Sequence, residues 1–257
     1  MTDIKAVVFD WAGTLVDFGS FAPMGVFVEC FRQFGIESSI EQARAPMGLP
    51  KWSHIRTMLD DPDIARQWQE KYGKAPVDAD VDEIYKIFVP MNEKVAADYA
   101  DLVPGALETI RYLRDRKIRI GSTTGYTRSI MEHVLPIVKE QGFVPDNLIC
   151  SDDLSEGRPG PLGMYQTFVD LAVYPPSAVI KVDDTVPGLQ EGVAAGCIAV
   201  GLALSGNFVG KTPDELALMS ESEIDTLRRA ATKMLKDGGA DHVIDTVADL
   251  PALIERF

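Results

Sequence analysis

Short apolar runs recur along this chain, each too short to build a helix and each separated from the next by helical periodicity. The first spans 4–9, and others fall at 118–122, 147–150, 178–182 and 198–202. Helical segments at 105–116, 128–140 and 188–195 alternate with them. The alternation predicts an α/β fold with a doubly wound parallel sheet, because parallel strands need crossovers and helices then cover both faces. Such a sheet brings the carboxyl ends of its strands to one edge, where α/β enzymes gather their chemistry.

The stretch between the first and second runs is too long for a single crossover. It carries helical periodicity instead, over 26–34, 40–44, 51–59, 64–72 and 81–97. The expectation is a helical insertion over 21–99, set into a core made of 1–20 and 100–257. Gly19-Ser20 forms one hinge and 101–105, with Pro104-Gly105, the other. Ser220 with Glu223 has the spacing of a capping box, opening a helix that ends at 237–239.

Charge narrows the partners. With 25 basic against 39 acidic residues the chain carries a net charge of −14, which argues against nucleic acid or an anionic membrane. A small anionic substrate then needs a local positive site. Cys30, Cys150 and Cys197 are widely spaced with no CxxC pair, the usage of reduced thiols. No apolar run approaches the ~20 residues that span a bilayer. The opening Met1-Thr2-Asp3-Ile4-Lys5 lacks a signal-peptide layout, so a cytoplasmic location is expected.

Polar residues follow the expected strands in an ordered set: Asp10, Thr123-Thr124-Gly125, Arg158 and Asp183-Asp184. Two carboxylates from separate strands, Asp10 and Asp184, suit a Mg²⁺ that keeps several waters. A Thr hydroxyl, backbone N–H groups and an Arg suit phosphoryl oxygens. Asp10 can also serve as nucleophile, since a carboxylate forms an aspartyl-phosphate. Two residues on, Ala12 has no proton to give, so whatever Asp10 displaces must leave without an acid from that position.

These residues resemble the four motifs of the haloacid dehalogenase superfamily, which implies a Rossmann-like core with an inserted cap. Where the usual superfamily phosphatase has a second Asp, this chain has Ala12, whose carbonyl can still bind metal. The phosphonatase family within that superfamily is more similar still. Its likeness runs through Asp10-Trp11-Ala12-Gly13-Thr14, Phe21-Ala22-Pro23, Pro46-Met47-Gly48-Leu49, Gly121 to Tyr126, Gly157-Arg158-Pro159 and Lys181 to Thr185. Leu15 and Asp183 depart from it, and Asp183 leaves open which carboxylate touches the metal.

The resemblance implies hydrolysis of the carbon–phosphorus bond of phosphonoacetaldehyde, within 2-aminoethylphosphonate degradation. It implies Asp10 and Lys51 as catalytic residues, with Lys51 forming a Schiff base with the aldehyde. It further implies one Mg²⁺ on Asp10, Ala12 and Asp184, and a homodimer through cap helices. Thr124, Gly125, Arg158, Met47, His54 and Tyr126 are the expected substrate and phosphate contacts, His54 and Tyr126 having a structural role as the other reading. Trp11 is expected beneath the site, and His133 and His242 are read as structural. A phosphomonoesterase or phosphomutase of the same superfamily is the alternative, which Ala12 counts against because alkoxide release wants an acid. A signalling receiver is the third reading, opposed by the large insertion and the first-strand position of Asp10.

Overall fold

The computed structural model describes residues 3–257; Met1 and Thr2, which begin the opening stretch discussed above, lie outside them. Five parallel strands form one sheet: β1 (Ala6–Phe9), β2 (Arg119–Ser122), β3 (Val179–Asp183), β4 (Ile198–Leu202) and β5 (His242–Ile244). Their spatial order is β2-β1-β3-β4-β5. Ala6 pairs with Arg119 on one side and Val179 on the other, so β1 is central. β1 and β3 are buried throughout, which explains their near-continuous apolar runs.

The doubly wound parallel sheet is as expected, but its strand list differs in two places. The run at 147–150 makes only an isolated parallel bridge, Thr123 to Ile149. Its backbone bonds to the end of β2 through Ser122 N–H to the Asn147 carbonyl and Ile149 N–H to the Ser122 carbonyl. The Cys150 N–H is taken by the Asp153 carboxylate, and the Thr124 N–H donates to the Ile149 carbonyl. The fifth strand is instead β5, three half-buried residues held to β4 through Val200–His242.

Of the helices between β1 and β2, the first five form a group: α1 (Ala22–Gln33), α2 (Ile40–Arg44), α3 (Lys51–Leu59), α4 (Pro62–Tyr72) and α5 (Asp78–Ala96). They close on their own apolar cluster, which includes Phe27, Phe31, Ile55, Trp68, Ile84 and Phe88. Phe27 is its centre, with ring centroids 4.2 Å from Phe88 and 3.7 Å from His54. The remaining helices flank the sheet: α6 (Ala106–Asp115), α7 (Arg128–Glu140), α8 (Leu162–Leu171), α9 (Val186–Ala195), α10 (Pro213–Ala217), α11 (Glu221–Asp237) and α12 (Leu250–Ile254). The capping box before α11 is present, Ser220 with Glu223. Cys30, Cys150 and Cys197 are buried and unpaired. No helix among the described residues is long and apolar enough to cross a membrane.

Phe27→Ala is expected to remove two aromatic stacks and leave a cavity, costing about 3–5 kcal/mol. Urea unfolding checks this; a loss under about 1 kcal/mol contradicts the central place given to Phe27.

Candidate active site

The strand order brings the expected polar residues together. Asp10 follows β1, Thr123 and Thr124 follow β2, and Asp183 ends β3 with Asp184 next. All five are buried. Gly13, at φ +78°, allows this closeness, since a Cβ there would lie 2.2 Å from Asp184 Oδ2.

Arg158 reaches into this edge from its loop and is buried among anions. Its Nη1 lies 2.9 Å from Asp10 Oδ1, and its Nε donates to Glu191 Oε2 at 3.1 Å. Its Nη2 donates to the Thr123 carbonyl at 2.7 Å and to Thr123 Oγ1 at 3.0 Å. Lys181, fully buried on β3, donates to Thr123 Oγ1 at 2.7 Å and lies 3.1 Å from Asp183 Oδ2. Burial raises the Asp10 carboxyl to about 6, helped by Asp183 and opposed by Arg158 and Lys181. For Asp183 burial also works against ionisation, but Arg158 and Lys181 outweigh it and hold the carboxyl below its ordinary value. Burial, Asp10 and Asp183 push Asp184 well up.

A hard cation fits this edge. Asp10, Asp183 and Asp184 each place a carboxylate oxygen within 4.8 Å of the others. Asp184 Oδ2 accepts the Asn207 N–H at 2.7 Å, whereas its buried Oδ1 has no hydrogen-bond partner. An orphaned buried carboxylate oxygen is costly unless a cation or water completes it. Four buried carboxylates, with Glu191 the fourth, face two buried cations, Arg158 and Lys181. Such a carboxylate-rich set of oxygen donors suits a divalent ion.

The helical insertion supplies the opposite wall. Pro50 caps α3, so Lys51 stands on its first turn. A small cavity is lined by Asp10, Ala12, Lys51, Met47, Thr124, Gly125, Tyr126 and Arg158. Gly48, at φ +92°, lets the insertion seat closely, because a Cβ there would lie 2.2 Å from Thr185 Oγ1. Lys51 Nζ sits 4.9 Å from the Tyr126 ring centroid and 5.6 Å from that of Phe27. Burial lowers the Lys51 ammonium to about 8, with Asp10 pulling upward and Arg158 downward. Burial likewise raises the Tyr126 hydroxyl well above its ordinary value.

His54 is placed differently from the other expected contacts. It is fully buried one turn along α3, stacked on Phe27, with Nε2 2.9 Å from the Ala43 carbonyl. It is not among the cavity-lining residues. Burial and Lys51 hold its imidazole neutral, well below the usual range. Trp11 packs against Phe143 in the core, as expected.

Sequence reasoning passed over Thr123 as a charge partner, Lys181, Glu191 and Asn207. A lysine inside the apolar run Val179-Ile180-Lys181-Val182 was a usable signal, since a fully buried charge needs partners. Nothing local marks Glu191 or Asn207.

Comparison with known proteins agrees with this geometry. Residues 4–196 match the haloacid dehalogenase-like hydrolase family. The chain is 48% identical over 254 residues to a phosphonoacetaldehyde hydrolase of Paraburkholderia phytofirmans, covering 99% of this chain and 95% of the relative. It is 45% identical over 256 residues to one from Klebsiella pneumoniae, covering 99% and 95%. A crystal structure of a phosphonoacetaldehyde hydrolase-like protein from Oleispira antarctica superposes with a TM-score of 0.97 at 38% identity, covering 99% of this chain and 92% of that one. A β-phosphoglucomutase of Clostridium difficile, at 15% identity and a TM-score of 0.68, shares the fold.

The buried Lys51 should cost stability. Because its folded value lies near 8, below the 10.5 of the unfolded chain, the folded state resists protonation. The penalty is full below about pH 8 and vanishes as pH rises toward 10.5. Lys51→Met is therefore expected to raise stability at pH 7 by about 1–3 kcal/mol, with the gain fading by pH 10. Denaturant unfolding at the two pH values checks it; a variant less stable than wild type at pH 7 contradicts the burial of the charge.

Proposed function

The chain belongs to the haloacid dehalogenase-like hydrolases, and we propose that it hydrolyses the carbon–phosphorus bond of phosphonoacetaldehyde to acetaldehyde and phosphate. The observation that carries this reading is one cavity lined by Lys51, Asp10 and Ala12. It holds an amine and a carboxylate nucleophile, with no acid at position 12.

The chemistry explains the combination. Direct cleavage would expel a carbanion, a very poor leaving group. The neutral Lys51 Nζ attacks the aldehyde carbon, and loss of water gives an iminium. An Asp10 oxygen then attacks phosphorus, and the breaking P–C pair flows into the iminium to give an enamine. No proton is needed at that moment. The enamine takes a proton at carbon, one water releases acetaldehyde and restores Lys51, and a second water releases phosphate from Asp10. The water lost in imine formation offsets one of these, so one water is consumed overall. The attacking form is the neutral amine, and burial that lowers Lys51 from 10.5 to about 8 makes that form far more accessible near neutral pH.

Thr124, Gly125 and Arg158 line the same cavity and would bind phosphoryl oxygens, Arg158 offering charged N–H donors. Met47 and Tyr126 would flank the aldehyde beside Lys51, and His54 would act only through Lys51 and the α3 turn. Asp10, Asp184 and the Ala12 carbonyl are the oxygen donors that would hold Mg²⁺, whose charge, when bound, favours approach of the anionic phosphonate to Asp10. Residues 21–99 would act as a cap whose seating on the core, 1–20 and 100–257, excludes water and unites Lys51 with Asp10. A homodimer through cap helices and a cytoplasmic setting, in 2-aminoethylphosphonate degradation, belong to the same reading and rest on the family resemblance.

Borohydride added during turnover of phosphonoacetaldehyde is expected to fix a reduced two-carbon adduct on Lys51, found by peptide mass spectrometry. An adduct absent from Lys51 overturns the mechanism. Since neutral Lys51 is the reacting form, kcat/KM should rise with pH until about 8 and then level. A profile flat from pH 6 to 9 contradicts this assignment.

A further inference from the structure

One arginine outside the proposed chemistry joins the insertion, its hinge and the carboxylate edge. Arg44 ends α2, and its Nη1 reaches three acceptors on the core side. It donates to the Gly19 carbonyl at 2.9 Å, the Asn207 carbonyl at 3.1 Å and Asn207 Oδ1 at 3.1 Å. Asn207 Nδ2 donates back to the Arg44 carbonyl at 3.2 Å. The Arg44 guanidinium also lies 5.3 Å from the Phe21 ring centroid, beside the first hinge.

Asn207 faces two ways. Its side chain grips Arg44, while its backbone N–H donates to Asp184 Oδ2 at 2.7 Å. That bond occupies one carboxylate oxygen and leaves the buried Oδ1 without a hydrogen-bond partner. The loop carrying Asn207 has further ties at Ser205, whose Oγ donates to the Gly13 carbonyl at 3.0 Å, whose carbonyl accepts the Gly19 N–H at 2.7 Å and whose N–H donates to the Asp245 carbonyl at 3.3 Å. If the insertion lifts from the core, Arg44 withdraws from three acceptors together. The 205–207 loop then keeps its ties at Ser205, but Asn207 loses its side-chain anchors, and the amide that aims Asp184 is held less firmly.

We propose that Arg44 and Asn207 form a latch that couples seating of the insertion to the orientation of Asp184. Both are positioning residues, acting through the Asn207 amide on a carboxylate that holds a divalent cation. The proposal rests on the cation reading of the Asp10–Asp184 edge given above. Coupling of this kind is reciprocal: a cation on Asp184 must favour the seated insertion by the factor by which seating favours the cation.

Mg²⁺ affinity measured by calorimetry without substrate tests the latch independently of turnover. Arg44→Ala and Asn207→Ala are each expected to weaken Mg²⁺ binding about tenfold, the range for residues that orient a metal ligand. The double variant should be no weaker than either single one, because the two side chains act as one unit. Mg²⁺ should also protect the 19–21 hinge from limited proteolysis in the wild type and not in Arg44→Ala. Singles that bind Mg²⁺ like wild type, even with a lowered Tm, overturn the latch alone, as does a double variant whose loss is the product of the singles. Should Arg44→Ala fail to fold, Asn207→Ala, which keeps the backbone N–H, decides by the same affinity. A wild type that binds no Mg²⁺ overturns the cation reading and the latch together.

Discussion

The ion pair between Arg158 and Asp10 is the constraint on which the site depends. Four carboxylates are buried at one sheet edge, an arrangement that water would ordinarily resolve by protonation. Arg158 counters this by reaching Asp10, Thr123 and Glu191 from one guanidinium. Lys181 adds a second charge from beneath, bonded to the same Thr123 hydroxyl. The result keeps Asp183 ionised, while Asp10 and Asp184 remain short of positive charge. That deficit is what makes the edge suited to a cation and to an electron-poor phosphorus.

The insertion completes what the sheet lacks. The core presents a nucleophile and anion-binding groups, but no means of stabilising a carbon leaving group. Lys51 enters from α3 between the rings of Phe27 and Tyr126, where burial strips water from its ammonium. On the proposed reading, this aromatic, dehydrated pocket brings the Lys51 amine toward its reactive neutral form. On that reading the same burial makes seating of the insertion part of the chemistry, since a lysine lifted into water would return toward its ordinary value of 10.5.

Much of this was legible in the sequence, for physical reasons. Asp10, Thr124 and Asp184 stand just past apolar runs, and parallel strands must bring such residues to one edge. Helical periodicity between the first two strands marked the helices there, and α2, α3 and α7 lie where periodicity set them. The misses share a different cause. Glu191 bonds to Thr123, 68 residues away, so no local pattern could announce it. Asn207 acts on Asp184 through a backbone N–H that any residue but proline would offer. β5 is three half-buried residues with little apolar contrast, and the 147–150 run was apolar enough for a strand but makes only one bridge to the sheet, at Ile149.

The central claim is that an imine on Lys51 replaces the missing acid at position 12 as the means of releasing the leaving group. The most direct test compares phosphate release from phosphonoacetaldehyde and from a simple alkyl phosphomonoester, each with wild type and Lys51→Arg. The account predicts turnover of phosphonoacetaldehyde by wild type alone, with acetaldehyde formed in equal amount. Turnover of the ester at similar rates by both proteins would contradict it.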